Sequence, residues 1–76
     1  MSKYYMYRYQ ICYEYQVKDQ YGNMCSTGYR YKQVDCMQNS INSAMDKFWA
    51  ETGLVSKPGN TYIYGCKYIG TYLYFS

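Results

Sequence analysis

The chain has 76 residues, of which 49% are hydrophobic and fourteen are tyrosine, and its formal net charge is +3. A chain this short forms a single domain, residues 1–76, and buries only about 60% of the surface that its unfolded form exposes. The mild charge excludes a dedicated duplex binder. No apolar run approaches the roughly 18 residues that cross a bilayer, and the N-terminus has no apolar signal core, so we expect a soluble, cytoplasmic protein without a membrane partner.

The first predicted element is a long strand from Lys3 to Lys18, because its residues alternate between two faces. Aromatic and aliphatic residues occupy one face, and more polar residues such as Arg8 occupy the other. The segment from Asp19 to Asn23 then predicts a type I turn closed by a glycine bulge. This turn predicts a hairpin with one defined register.

In the predicted register, apolar residues meet apolar residues along the ladder. The expected pairs on one face are Val17 with Cys25, Tyr15 with Thr27, Tyr13 with Tyr29 and Ile11 with Tyr31. The other face pairs Cys12 with Arg30 and Gln10 with Lys32. Because Cys12 and Cys25 then lie on opposite faces, a disulfide between them is not expected.

The segment from Val34 to Gly53 predicts an amphipathic helix. Asp35 is the expected N-cap, and Gly53 followed by Leu54 predicts the C-terminal end. At about 100° per residue, the apolar stripe consists of Met37, Ile41, Ala44, Met45, Phe48 and Thr52.

A loop is predicted from Val55 to Asn60, where Pro58 and Gly59 provide turn chemistry. The tail from Thr61 alternates again, and Lys67 to Thr71 resembles the first turn, so we expect a second hairpin with Gly65 opposite Leu73. One long kinked strand is the alternative, but it would leave unpaired backbone groups at an edge.

These elements predict an α+β fold with an antiparallel sheet of about four strands and one helix packed on one face, in the order β-β-α-β-β. The tyrosines at the start of the first strand exceed what one helix of this length covers, since a helix rises about 1.5 Å per residue and a strand about 3.3 Å. A second copy of the chain or another partner is expected to cover them.

Residues for catalysis are scarce. The sequence has no histidine, no glycine-rich phosphate loop and no nucleophile elbow. Its four cysteines lack a CxxC spacing, so neither a metal site nor another cofactor is expected. We therefore expect a protein that is not an enzyme.

The sheet face opposite the helix is the expected binding surface, because tyrosine rings and basic side chains alternate onto it. The candidate partner-binding residues are Arg8, Arg30, Lys32, Tyr62, Tyr64, Tyr72 and Tyr74. Rings that stack on bases beside cations that meet phosphates are typical of single-strand nucleic-acid platforms. Tyrosine and arginine are equally typical of protein interfaces. The alternative is that the tyrosines simply stabilise a sheet and the basic residues are a solvated face.

In its size and predicted element order, the chain loosely resembles small phage-borne inhibitor proteins, including several anti-CRISPR families. The resemblance is one of architecture, and no motif transfers a residue's role. It implies a protein that docks on a nucleic-acid-guided effector in the cytoplasm of a host cell and blocks it sterically. Because a nucleic-acid mimic would be acidic and this chain is basic, protein docking is the more plausible mode.

Three functions follow from the sequence. The first is an inhibitor that docks on a larger protein or nucleoprotein complex. The second is a module that binds single-stranded RNA or DNA through the same face. The third is a structural homo-oligomer, of which a homodimer is the simplest form.

Overall fold

The computed structural model describes residues 2–54 and 60–76. These residues form β1 (Lys3–Lys18), β2 (Met24–Ser26), β3 (Arg30–Cys36), α1 (Ile41–Thr52) and β4 (Thr61–Phe75). The strands form one antiparallel sheet and the helix packs on one of its faces, which confirms the predicted α+β class. The element order is β-β-β-α-β instead of the predicted β-β-α-β-β. The predicted second strand is divided into β2 and β3, and the tail forms the single strand β4.

Strand β1 is the centre of the sheet. Along one edge it pairs with β4, from Lys3 opposite Phe75 to Tyr15 opposite Thr61. Its other edge pairs with β3 over residues 7–13 and with β2 over residues 16–18. The result is a narrow ribbon of about 54 × 20 × 17 Å.

The predicted turn between β1 and β2 is confirmed. Asp19 and Asn23 are joined by a backbone hydrogen bond of 2.8 Å, and the Asp19 carboxylate accepts from the N–H groups of Tyr21 and Asn23. Gly22 has the left-handed φ of 83° that this turn requires. Val17 accordingly lies opposite Cys25, as expected.

The predicted register is wrong beyond Thr27, because the chain gains one residue there. The N–H of Thr27 donates to Tyr15, and Gly28 adopts a φ of 76° while its N–H donates to the Ser26 hydroxyl. Tyr13 therefore lies opposite Arg30 instead of Tyr29. A shift of one residue exchanges the faces of every later side chain on the strand.

The second predicted hairpin is also wrong. Gly65 pairs with Cys12 and Leu73 pairs with Tyr5, so both belong to one strand along β1. Gly70 lacks the positive φ of a turn glycine. Interruptions of the register between Arg8 and Tyr9 and between Cys12 and Tyr13 accommodate the extra residues of β4 as bulges. Pairing with β1 satisfies more backbone groups than a local hairpin would.

The helix is shorter than predicted and begins at Ile41. Its N-cap is Ser40, whose hydroxyl accepts from the Ser43 N–H at 3.1 Å, whereas Asp35 lies in β3. The predicted end is confirmed, since Gly53 is left-handed with a φ of 70° and Leu54 is buried. Residues 55–59 of the predicted loop lie outside the described residues.

The buried core joins β1, β3 and α1. It consists of Tyr9, Ile11, Val34, Cys36, Ala44, Phe48 and Leu54. The register shift explains why Val34 and Cys36 belong to it: they share the face of Tyr9 beneath the helix. We call this the covered face of the sheet and the opposite side the open face. In the described part of the chain, no helix is long and apolar enough to cross a membrane.

Replacing Phe48 tests which residues form this core. Phe48→Ala is expected to lower the free energy of unfolding by about 3–5 kcal/mol, because it removes a fully buried ring. Met37→Ala is the control, since Met37 is 68% exposed and such surface changes stay within about 0.5 kcal/mol. Urea denaturation measures both. A large loss in Met37→Ala would instead support the longer helix stripe predicted from sequence.

Candidate protein-docking surface

The structure divides the seven candidate residues between the two faces. Arg8 and the four tyrosines Tyr62, Tyr64, Tyr72 and Tyr74 lie on the open face, as expected. Arg30 and Lys32 lie on the covered side because of the extra residue at Gly28. The expectation that they belong to the open face is therefore wrong.

Both displaced cations contact other side chains of the chain. The ammonium of Lys32 lies 3.2 Å from the carboxylate of Glu51 in α1. The guanidinium of Arg30 lies 5.6 Å from the ring centroid of Tyr15, within the range of a cation–π contact. Of the three basic candidate residues, Arg8 alone therefore lies on the open face.

Arg8 is held by a polar cluster at one end of the open face. Its Nε and Nη2 donate to the two carboxylate oxygens of Asp35 at 2.7 and 3.0 Å. The hydroxyl of Tyr74 donates to the same carboxylate at 3.2 Å. These hydrogen bonds, with that of Arg8 the largest cause, hold the pKa of Asp35 below its usual range. Since bidentate pairing satisfies the planar guanidinium, Arg8 is committed to the fold.

Aromatic rings complete this cluster. The Arg8 guanidinium lies 4.2 Å from the centroid of the Tyr72 ring, and Tyr4 stacks on Tyr74 at 5.8 Å. The Tyr72 ring lies against the backbone at Gly70, where a Cβ atom would stand 3.2 Å from a ring carbon. The glycine thus lets the ring lie close to the strand. These contacts with Arg8, with Gly70 and between the rings account for the position of Tyr4, Tyr72 and Tyr74 at this end of the sheet.

The other end of the open face carries a more exposed group of rings. We call it the tyrosine patch, and it consists of Tyr29, Tyr31, Tyr62 and Tyr64. These side chains are between 51 and 70% exposed. The rings of Tyr29 and Tyr64 meet edge to face at 5.0 Å, Tyr62 lies opposite Glu14, and Tyr31 lies opposite Cys12.

A carboxylate lies within this patch. Glu14 accepts hydrogen bonds from the hydroxyls of Ser26 and Tyr64, which lower its pKa. The same hydrogen bond raises the pKa of Tyr64 to about 12, because the carboxylate opposes formation of a phenolate. The patch therefore presents rings around a negative group, which favours a partner that offers hydrogen-bond donors or cations over one that offers phosphates.

Sequence reasoning missed Tyr29 and Tyr31, which it assigned to the covered face. The signal that identifies them is Gly28, since a single glycine within a strand pattern is typical of a bulge. One added residue there moves Tyr31 to the open face and Lys32 away from it.

A shallow depression of about 410 Å³ lies beside the Arg8 cluster. Met6, Arg8, Gln33, Asp35, Lys47 and Glu51 line it. Most of its charged groups are paired, Arg8 with Asp35 and Glu51 with Lys32. Within residues 2–54 and 60–76, no group of three or more metal-binding side chains comes together. The tyrosine patch is therefore the stronger candidate for a binding site.

The Asp35 interaction predicts an acid-sensitive part of the stability. Because folding lowers the pKa of Asp35, its carboxylate stabilises the fold above its unfolded pKa of about 3.9, and this contribution is lost as the pH falls through its folded pKa. Asp35→Asn is expected to be less stable than the wild type at pH 7 and close to it near pH 2. Thermal unfolding across this range measures the difference, with Asp46→Asn as the control for losing one negative charge. A difference that does not change with pH would contradict the assignment.

Tyr64 provides a direct readout of the patch. Its pKa, about 12 in the wild type, is expected to fall toward the ordinary tyrosine value of about 10 in Glu14→Gln, because the carboxylate charge is removed. NMR titration of labelled tyrosine rings, assigned with Tyr64→Phe, measures the shift. An unchanged Tyr64 titration in Glu14→Gln would show that the two groups do not interact.

Comparison of the chain with models of protein families, with curated proteins and with solved structures gives no match.

Proposed function

We propose that this protein is a non-enzymatic docking protein that binds a larger protein or nucleoprotein complex through the tyrosine patch. The proposal rests on one observation: four exposed rings lie at one end of the open face, around a single carboxylate. Tyrosine supplies a large contact area at low entropic cost and a hydroxyl for hydrogen bonding, which is why protein interfaces concentrate it.

The distribution of cations favours a protein partner over a nucleic acid. A single-strand platform needs cations beside its stacking rings so that phosphates are neutralised. Here Arg8 is paired with Asp35, Arg30 and Lys32 lie on the covered side, and the charged group within the patch is Glu14. A phosphate backbone crossing the patch would meet a negative charge.

Three of the five carboxylates support the non-enzymatic part of the proposal. Glu14 is held by Ser26 and Tyr64, Asp19 closes the turn between β1 and β2, and Asp35 binds Arg8. Each has a partner within the fold. The pKa values of all three are lowered, whereas a general acid at neutral pH needs a raised one.

The phage-type, anti-CRISPR-like inhibitor suggested by the resemblance is one specific form of this proposal. In that form, docking blocks the nucleic-acid path or the moving parts of the effector. A narrow ribbon with exposed rings at one end suits occlusion, because it presents those rings on an elongated body.

The experiment compares capture of partners from a lysate of the cell in which the protein acts. Tagged wild type is set against the double variant Tyr62→Thr and Tyr64→Thr, which keeps strand-forming residues but removes two rings of the patch. Tyr21→Thr is the control, since it removes an exposed ring from the turn. Circular dichroism verifies that each variant is folded. The double variant is expected to recover at least tenfold less of a partner that the wild type and control retain.

Nuclease and salt distinguish a protein target from a nucleic acid. Binding to the purified partner is expected to survive nuclease and to weaken less than tenfold between about 50 and 200 mM salt, whereas six to ten phosphate contacts lose about 10³–10⁵ in affinity over that range. Loss of binding on nuclease treatment, together with a steep salt dependence, would contradict protein docking and favour the single-strand binder. Equal capture by the wild type and the double variant would show that the patch is not the site.

A further inference from the structure

The outer edge of β4 carries backbone groups that pair with none of the described strands. In the part of the chain that the structure describes, β4 pairs with β1 alone. Ser2 and Ser76 exchange two backbone hydrogen bonds of 2.8 Å. Because hydrogen-bonded and non-hydrogen-bonded pairs alternate in an antiparallel ladder, Tyr72 and Tyr74 direct their backbone groups toward β1. The residues between and beside them therefore direct theirs outward.

The outward-facing residues are Thr71, Leu73 and Phe75. Their side chains share the covered side of the sheet, opposite Tyr7, Tyr5 and Lys3. The helix does not cover this end: the side chains of Leu73 and Phe75 are 43 and 61% exposed. The same residues thus present free backbone groups along an edge and uncovered apolar side chains beside it.

This part of the edge lacks the usual protection. Natural edge strands avoid pairing with another chain by means of lysine, proline, bulges or short length. The segment from Tyr68 to Ser76 contains neither a charged residue nor a proline. Both bulges of β4 precede Thr71, so residues 71–75 pair regularly with β1. A regular, uncharged edge of this kind is a template for another strand.

We propose that residues 71–75 of β4 pair antiparallel with the same residues of a second copy of the chain, about a two-fold axis at Leu73. In this register Thr71 lies opposite Phe75 of the second copy, and Leu73 lies opposite its own equivalent. All three outward-facing residues then occupy hydrogen-bonded positions of the new ladder.

The proposed register is also complementary in its side chains. The two Leu73 side chains meet at the axis, and each Phe75 packs beside Thr71 of the other copy, so that apolar surface is covered from both sides. On the open face, Tyr72 lies opposite Tyr74 of the second copy, and aromatic cross-strand pairs of this kind stabilise a sheet. No like charges are brought together, because the segment has none. A two-fold contact closes on itself and gives a dimer instead of a filament.

This interface is separate from the docking surface. Tyr62 and Leu73 lie opposite Glu14 and Tyr5, which are nine residues apart along β1. At about 3.3 Å per residue this is a span of roughly 30 Å. The dimer therefore carries two tyrosine patches at its far ends. The two proposals can fail independently.

Sedimentation equilibrium of the purified chain, from micromolar to millimolar concentration, tests the dimer. The wild type is expected to double its mass with concentration. Leu73→Lys is expected to weaken self-association at least tenfold, because two ammonium groups would meet at the axis. Tyr62→Lys is the matched control: it adds the same charge to the same strand outside the interface and is expected to associate like the wild type while losing partner capture.

Leu73→Pro tests backbone pairing specifically. Leu73 directs its N–H away from β1, so proline removes a hydrogen bond of the proposed interface and none to β1. This variant is expected to fold and to remain monomeric at concentrations where the wild type is a dimer. A wild type that stays monomeric at millimolar concentration would overturn the proposal, and so would a Leu73→Lys variant that dimerises as tightly as the wild type.

Discussion

Strand β1 is hydrogen-bonded along both of its edges, and the remaining structure depends on that pairing. Because the chain is short, its buried core is small. The hydrogen bonds that satisfy the backbone groups of β1 on both edges therefore contribute much to the fold. The helix closes the middle of the covered face around Ile11 and Phe48. Because the strands are much longer than the helix, both ends of the sheet extend beyond it.

The ends that extend beyond the helix have different chemistry. At one end the open face is occupied by contacts within the chain: Arg8 bridges Asp35 and the Tyr72 ring. At the other end the rings of the tyrosine patch are exposed, and one of them is held by Glu14. The difference matters for binding, since rings that are more than half exposed offer a partner more contact area than rings packed against a paired arginine. The proposed docking therefore involves the tyrosine patch, and the proposed self-association involves the edge of β4 near Leu73.

Local chemistry made several features predictable from the sequence. The turn at Asp19, the left-handed stop at Gly53 and the inward face of β1 each depend on residues within one segment, and all three are present. The fold class follows from the same signals. The four candidate tyrosines of β4 were likewise predicted on the correct face. Two bulges together restore the alternation, so Tyr62, Tyr72 and Tyr74 share a face. Tyr64 lies at one bulge, and its hydroxyl reaches Glu14 on the same face.

The errors arose where a choice depends on distant residues. Whether the tail forms a hairpin or one strand depends on β1 having a free edge, which the tail itself does not reveal. The register after Gly28 depends on burying Val34 and Cys36 beneath a helix that follows them. A difference of one residue there moved Arg30 and Lys32 to the covered side, and with them the cations that a nucleic-acid surface would need. The register therefore decides which side chains lie on the candidate binding face, as well as which are buried in the core.

Cross-strand backbone NOEs in the labelled protein test the central pairing of β1 most directly. If β1 is paired on both edges as described, NOEs place Tyr13 opposite Arg30 on one edge and Tyr5 opposite Leu73 on the other. NOEs that place Tyr13 opposite Tyr29, or Gly65 opposite Leu73, would contradict it.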